Sequence, residues 1–282
     1  MKTALALGTF DGLHDGHRAV LEAVLPYNSI AVSFRLPPKA VLSGATELLM
    51  TPADKLYALK KLGIKTVELL DFEEVRSLEA TEFLDMLVHR FSPKLISCGY
   101  NYRFGKGAMG DTRLLREYCK EKGIDFVCHD CVCAVDGTPI SSTVLRTMLK
   151  NGELQKANSH IYGGFSFSAP VLHGDERGRT IGFPTINQKY PDVLVPIKFG
   201  VYAVKVIIED EEYNGIANIG VRPTWKTEHI MSETYIENFS GDLYERLVTV
   251  KPLAFLRGET VFSSVDELKS TIINDIDRMH NL

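Results

Sequence analysis

As far as Asn158 the chain alternates short apolar runs with stretches of helical periodicity, and that alternation leaves few folds open. Thr3–Leu7, Ser29–Phe34, Lys65–Leu70, Leu95–Gly99 and Asp125–Val132 read as strands. Between them His17–Leu25, Pro52–Leu62, Ala80–Phe91 and Asp111–Lys122 carry apolar residues at helical spacing, and Ser142–Asn151 follows as a further helix. Thr51 is an expected N-cap and Gly123 an expected C-cap. Strands alternating with helices predict a parallel sheet covered on both faces.

Beyond Asn158 the pattern changes. Phe165–Leu172, Val201–Glu209, Glu212–Ile219, Glu233–Ile236 and Glu245–Phe255 read as strands punctuated by Gly and Pro. They predict a small antiparallel barrel. A helix from Ser264 to about Met279 closes the chain, with Ser264 and Glu267 spaced as a capping box. The fold class expected is α/β followed by all-β: a Rossmann-like domain over residues 1–158, then a barrel domain over residues 159–282.

Bulk properties narrow the function classes. A net charge of -4 argues against a nucleic-acid binder that relies on a basic surface. No apolar stretch approaches the ~20 residues that span a bilayer, so a membrane protein is not expected and a cytoplasmic location is. Five cysteines, an odd number, argue against a disulfide framework. Cys128-His129-Asp130-Cys131-Val132-Cys133 has no distant second ligand pair of the kind a structural zinc site needs, and reads as ordinary strand.

The first chemical signal lies between the first strand and the first helix. Gly8-Thr9-Phe10-Asp11-Gly12-Leu13-His14-Asp15-Gly16-His17 occupies the place where open α/β sheets bind ligands. Its glycines permit a sharp turn and close approach to a ligand, and helix-start N–H groups favour phosphate. His14 and His17 are three residues apart and can face one side. Ile140-Ser141-Ser142-Thr143-Val144-Leu145-Arg146 opens a later helix, where hydroxyls at 141–143 can cap it or bind phosphate and Arg146 can clamp phosphate. Gly99-Tyr100-Asn101-Tyr102-Arg103-Phe104-Gly105 follows a strand.

Taken together these segments resemble the nucleotidyltransferases with a His-x-Gly-His turn, and more closely the FAD synthetases. The resemblance implies adenylyl transfer from ATP to FMN, giving FAD and pyrophosphate. His14, His17 and Arg146 would be catalytic, and Gly8, Phe10, Asp11, Gly16, Asn101, Ser141, Ser142 and Thr143 would bind ATP phosphates or nucleotide. Tyr102 and Phe104 would lie near flavin or adenine.

The second half resembles the riboflavin kinase domain of bacterial bifunctional FAD synthetases. Gly178-Arg179-Thr180-Ile181-Gly182-Phe183-Pro184-Thr185-Ile186-Asn187 and Ala217-Asn218-Ile219-Gly220-Val221-Arg222-Pro223-Thr224 carry the likeness. It implies ATP-dependent phosphorylation of riboflavin to FMN. Gly178, Arg179, Gly182, Pro184, Thr185, Asn187, Asn218 and Arg222 would contact flavin or ATP, Thr185 and Asn187 would hold Mg2+, and Glu233 would be the general base.

The chain departs from the family pattern at Phe34-Arg35-Leu36-Pro37-Pro38, where Phe-x-Pro-His-Pro is usual, so that the histidine is missing, and at Gly164 and Ala169, where arginine and glycine are usual. The alternative these departures leave open is a transferase whose barrel binds flavin without phosphorylating it. The partners implied are the small molecules ATP, FMN and riboflavin.

Overall fold

The computed structural model describes residues 2–44, 46–174, 178, 181–223 and 228–282. The chain forms two compact units, one of Met1–Thr46, Pro52–Val144 and His160–Tyr162, the other of Glu47–Thr51, Leu145–Ser159 and Gly163–Leu282.

The first unit is built on a five-stranded parallel sheet. Strands β1 (Thr3–Leu7), β2 (Asn28–Phe34), β3 (Thr66–Leu70), β4 (Leu95–Gly99) and β5 (Asp125–His129) lie in the order β3-β2-β1-β4-β5. The central strands are apolar and buried on both faces, as covered parallel strands require. Helices α1 (Asp15–Glu22), α2 (Pro38–Ser43), α3 (Pro52–Lys61), α4 (Phe72–Val75), α5 (Ala80–Phe91) and α6 (Thr112–Lys122) come from this part of the chain. In α5, Phe83, Leu84 and Leu87 share one face and pack on Leu5, Leu7, Ile30 and Val32. α6 starts where the Asp111 carboxylate accepts the Leu114 N–H at 2.9 Å and stops at Gly123 in the left-handed conformation. Strand order reverses beside β1, so the segments following β1 and β4 flank the switch point of the sheet, where α/β folds place ligands.

Helix α7 (Ser142–Asn151) leads into α8 (Leu154–Asn158). The second unit then closes six antiparallel strands into a barrel. They are β6 (Phe167–Leu172), β7 (Thr185–Lys189), β8 (Gly200–Ile208), β9 (Glu211–Pro223), β10 (Glu228–Ile236) and β11 (Leu247–Arg257), in the order β10-β7-β6-β11-β8-β9. Closure removes the unpaired edges an open sheet would expose. Gln188 is buried inside and donates to the carbonyls of Ala169 at 2.7 Å and Val248 at 2.8 Å, tying β7 to β6 and β11.

Helix α9 (Val265–His280) lays Met279 and Ile276 against Val201, Ala203 and Ile216. Ser264 caps it by accepting the Glu267 N–H, but Glu267 returns its carboxylate to the N–H and hydroxyl of Ser263 rather than to Ser264. Arg257 donates to Asp275 of this helix at 2.9 Å, giving the buried carboxylate its counter-ion.

Several elements differ from the sequence reading. α1 begins at Asp15 because His14 takes the extended N-cap conformation. β5 ends at His129, before Cys131 and Cys133. β7 was not expected as a strand, and β10 starts five residues earlier than the motif around Glu233 suggested. The departures at Gly164 and Ala169 fit the barrel: Gly164 has a left-handed backbone, and Ala169 is the buried residue whose carbonyl Gln188 holds.

A stacked histidine pair and a polar row on the barrel

The turn after β1 is unusually constrained. Phe10 and Leu13 have φ of 47° and 38°, in a region non-glycine residues seldom occupy. Gly8 has no room for a side chain, since a Cβ there would lie 2.7 Å from the Phe10 ring. His14 and His17 stack with ring centroids 3.7 Å apart, and Phe10 meets His17 edge-on. Nδ1 of each histidine is buried with no hydrogen-bond partner among the described residues. Buried polar atoms are normally satisfied, so two orphaned imidazole nitrogens side by side suit a ligand.

Burial dominates the electrostatics. It lowers His14 to about 4 against the opposing pull of Asp15, and it also holds His17 well below the usual imidazole value, with His14 and Lys55 adding to the effect. Both rings are therefore neutral near pH 7 when nothing anionic is bound.

Of the other expected residues, Ser142 is tied to this turn. Ser142 donates its hydroxyl to the Asp11 carbonyl at 2.9 Å, which fixes the start of α7 to the turn. Ser141 accepts the Val144 N–H at 3.3 Å and so works as a helix cap, while Thr143 is exposed. Arg146 follows one turn on and donates to the Glu47 carbonyl. Asn101 is exposed just after β4, on the switch-point side. Phe104 is buried in the core with Phe83, and Tyr102 stacks on it at 5.6 Å. These aromatics pack the sheet's covering layer.

Two contributions were not read from the sequence. Lys55 is 1% exposed, and its ammonium donates to the carbonyls of Thr9 at 3.0 Å and Phe34 at 2.9 Å and to the Ser33 hydroxyl at 3.4 Å. Burial lowers its pKa to about 8, with Asp11 opposing. The signal was its place one turn before the buried Leu59 on the inward stripe of α3. The second is a return strap: His160 meets Asp15 at 2.8 Å, Ile161 forms a bridge to His14, and Tyr162 donates to the Leu13 carbonyl at 3.2 Å.

In the barrel unit, Glu233 lies directly opposite Asn187 on one side and Asn218 on the other. Directly opposed residues of antiparallel strands share a face. Their neighbours Gln188, Ser232, Thr234, Ala217 and Ile219 are buried, so this row faces out of the barrel. Thr185 shares the face by alternation along β7. Gly174 is pressed against Asn187: a Cβ on Gly174 would lie 2.3 Å from the Asn187 amide nitrogen. Gly178 accepts the Phe183 N–H at 2.9 Å, Gly182 is left-handed, and Pro184 and Thr185 line an open cleft with Phe239 and Tyr244. Arg179 lies outside the described residues, as does the side chain of Arg222.

Residues 1–144 match the FAD synthetase family model and residues 163–282 the riboflavin kinase model. The bifunctional riboflavin kinase/FMN adenylyltransferase of Escherichia coli K12 is 36% identical over 96% of this chain and 90% of its own length. The Bacillus subtilis protein of the same description is 31% identical over 97% of this chain and 90% of its own. A Streptococcus pneumoniae crystal structure described as a macrolide-efflux protein superposes with a TM-score of 0.89 at 29% identity, covering 100% of this chain and 94% of that one. Among the described residues of this chain, no helix is long and apolar enough to cross a membrane. The chain belongs to the family of bifunctional riboflavin kinase/FMN adenylyltransferases.

Proposed function

We propose that the chain makes FAD from riboflavin in two ATP-dependent steps, in the cytoplasm, where ATP is at hand and its five free cysteines would stay reduced. Residues 159–282 phosphorylate riboflavin to FMN, and residues 1–158 adenylylate FMN. The observation that carries the second step is the stacked, unsatisfied pair His14 and His17 at the glycine turn. Full-length relatives that bear both activities in their description favour the two-step reading over a transferase alone.

In adenylyl transfer an FMN phosphate oxygen bonds to the α-phosphorus of ATP while the bond to the bridging oxygen of pyrophosphate breaks. The attacking group is already anionic, so the protein needs no nucleophile of its own. Its task is to hold two anions together and stabilise the charge that builds on the transferred group. His14 and His17 donate hydrogen bonds there. Ser141, Ser142, Thr143 and Arg146 supply hydroxyl and guanidinium contacts to phosphate, Gly8, Phe10, Asp11 and Gly16 shape the turn, and Asn101 orients the nucleotide.

In the kinase step Glu233 takes the proton of the ribityl hydroxyl as that oxygen attacks the γ-phosphate. Asn218, Arg222, Arg179, Gly178, Gly182 and Pro184 surround flavin and ATP. Thr185 and Asn187 offer hard oxygen donors that suit Mg2+, and the close seat of Asn187 against Gly174 fits a side chain held for a ligand. The metal would neutralise phosphate charge.

Separate incubations of pure protein with riboflavin or FMN, each with ATP and magnesium, test the proposal. Riboflavin should give FMN and then FAD, and FMN should give FAD and pyrophosphate. Failure of riboflavin to yield FMN removes the kinase step, and failure of FMN to yield FAD removes the transferase step.

A further inference from the structure

We propose that Lys55 is a positioning residue of adenylyl transfer, acting through the Thr9 peptide and not through contact with substrate. The inference rests on the transferase reading above.

An ammonium has three N–H donors, and Lys55 has three acceptors within reach: Thr9 O at 3.0 Å, Phe34 O at 2.9 Å and Ser33 Oγ at 3.4 Å. All three lie inward, and the residue is 1% exposed. Its donors are spent on the protein. Ser33 sends its own hydroxyl to the same Thr9 carbonyl at 2.9 Å. Thr9 O is thus pinned from two sides, by the end of β2 and the first turn of α3.

A trans peptide carries its C=O and N–H on opposite sides of one plane. Holding Thr9 O toward β2 and α3 therefore turns the Phe10 N–H the other way. The rule can be checked one strand over, where Lys55 holds Phe34 O and the Arg35 N–H points away to Leu70 O at 3.0 Å. Ser142 does the same to the next peptide but one: it holds Asp11 O and turns the Gly12 N–H outward. Alternate peptides of the turn are thus oriented by side chains behind it, and outward N–H groups of a turn make an anion-binding concavity. Phe10 pays for this with a positive φ, a strain that persists only where its surroundings hold it.

The charge is also placed to matter. A lysine is buried at a cost, since desolvation disfavours its charged form. Asp11 and His17 are the charged and titratable groups that act on it from the turn and α1, and His14 acts on His17. A neutral side chain of similar length would fill the same space without that cost. Lysine here holds the turn and puts positive charge beneath an anion site.

The test uses the full chain, whose kinase reaction is an internal control. Lys55→Met keeps the volume and removes the donors. It should lower kcat for FAD formation from FMN by about 100-fold, the cost of a misplaced reacting group. KM for ATP and FMN should hold, because no substrate contact is lost. FMN formation from riboflavin should be unchanged, and Lys55→Arg should recover part of the loss. An unchanged transferase kcat would overturn the proposal, as would a raised KM for ATP at full kcat, which would make Lys55 a nucleotide ligand. If Lys55→Met loses both reactions through misfolding, Ser33→Ala decides. Removing the second donor to Thr9 O should lower transferase kcat about 5-fold, the value of one ordinary hydrogen bond, with the kinase intact; no change would contradict the inference. Wild-type protein that makes FMN but no FAD would defeat the transferase reading itself, and Lys55 with it.

Discussion

His14 and His17 lie ring on ring, 3.7 Å between centroids and 21° from parallel, each with its Nδ1 buried and unsatisfied among the described residues. Two neutral imidazoles tolerate this contact, whereas two protonated ones would repel. In the proposed function this pair meets phosphate, which would make proton binding part of ligand binding.

ATP should therefore bind with net proton uptake. Phosphates beside the pair favour its protonated form and raise pKa values that burial has lowered, to about 4 for His14. Calorimetric titration with ATP near pH 6.5, in buffers of different ionisation enthalpy, should show the uptake. His14→Asn and His17→Asn should reduce it. Identical heats in all buffers would contradict this account of the pair.

The same burial makes stability depend on pH. The His14 pKa is depressed in the folded state, so between about pH 4 and 6.5 the unfolded chain binds the extra proton. Stability rises with pH across that window and falls as pH drops through it, on the order of 3 kcal/mol from His14 alone. Urea unfolding of wild type and His14→Asn at pH 5 and pH 7 should show the variant losing less on acidification.

In the barrel, Glu233→Gln should lower riboflavin kinase kcat by at least about 100-fold, the usual worth of a general base. FAD formation from supplied FMN should stay at the wild-type rate. Equal loss of both reactions would point to a folding defect rather than to lost proton transfer.

Gly174→Ala probes the seat of Asn187. The new Cβ would lie 2.3 Å from the amide nitrogen and 2.7 Å from Cγ, so the side chain must move. Kinase turnover should drop roughly 10- to 100-fold, with the transferase unaffected. A kinase at wild-type rate would show that Asn187 need not hold its place.

Much of this was legible in the sequence, and the remainder has a physical reason. Covered parallel strands must be apolar throughout, so Thr3–Leu7 and Leu95–Gly99 declared themselves. The bounds of α5 were readable from its apolar face. β7 was not, because its outward residues Thr185 and Asn187 are polar and its inward Gln188 is polar too, tying three strands together. Lys55 hid for a similar reason: lysine is normally read as solvent-facing, and its value lies in carbonyls brought from Thr9 and Phe34 by the fold. The strap of His160–Tyr162 lacks any periodic pattern and is defined by contacts to the turn.

In the proposed function the paired imidazoles perform the second step and leave the first alone. The most direct measurement is the product distribution when the His14→Ala, His17→Ala double variant is given riboflavin, ATP and magnesium. FMN should accumulate at the wild-type rate with no FAD formed. Continued FAD formation from this variant would contradict the account.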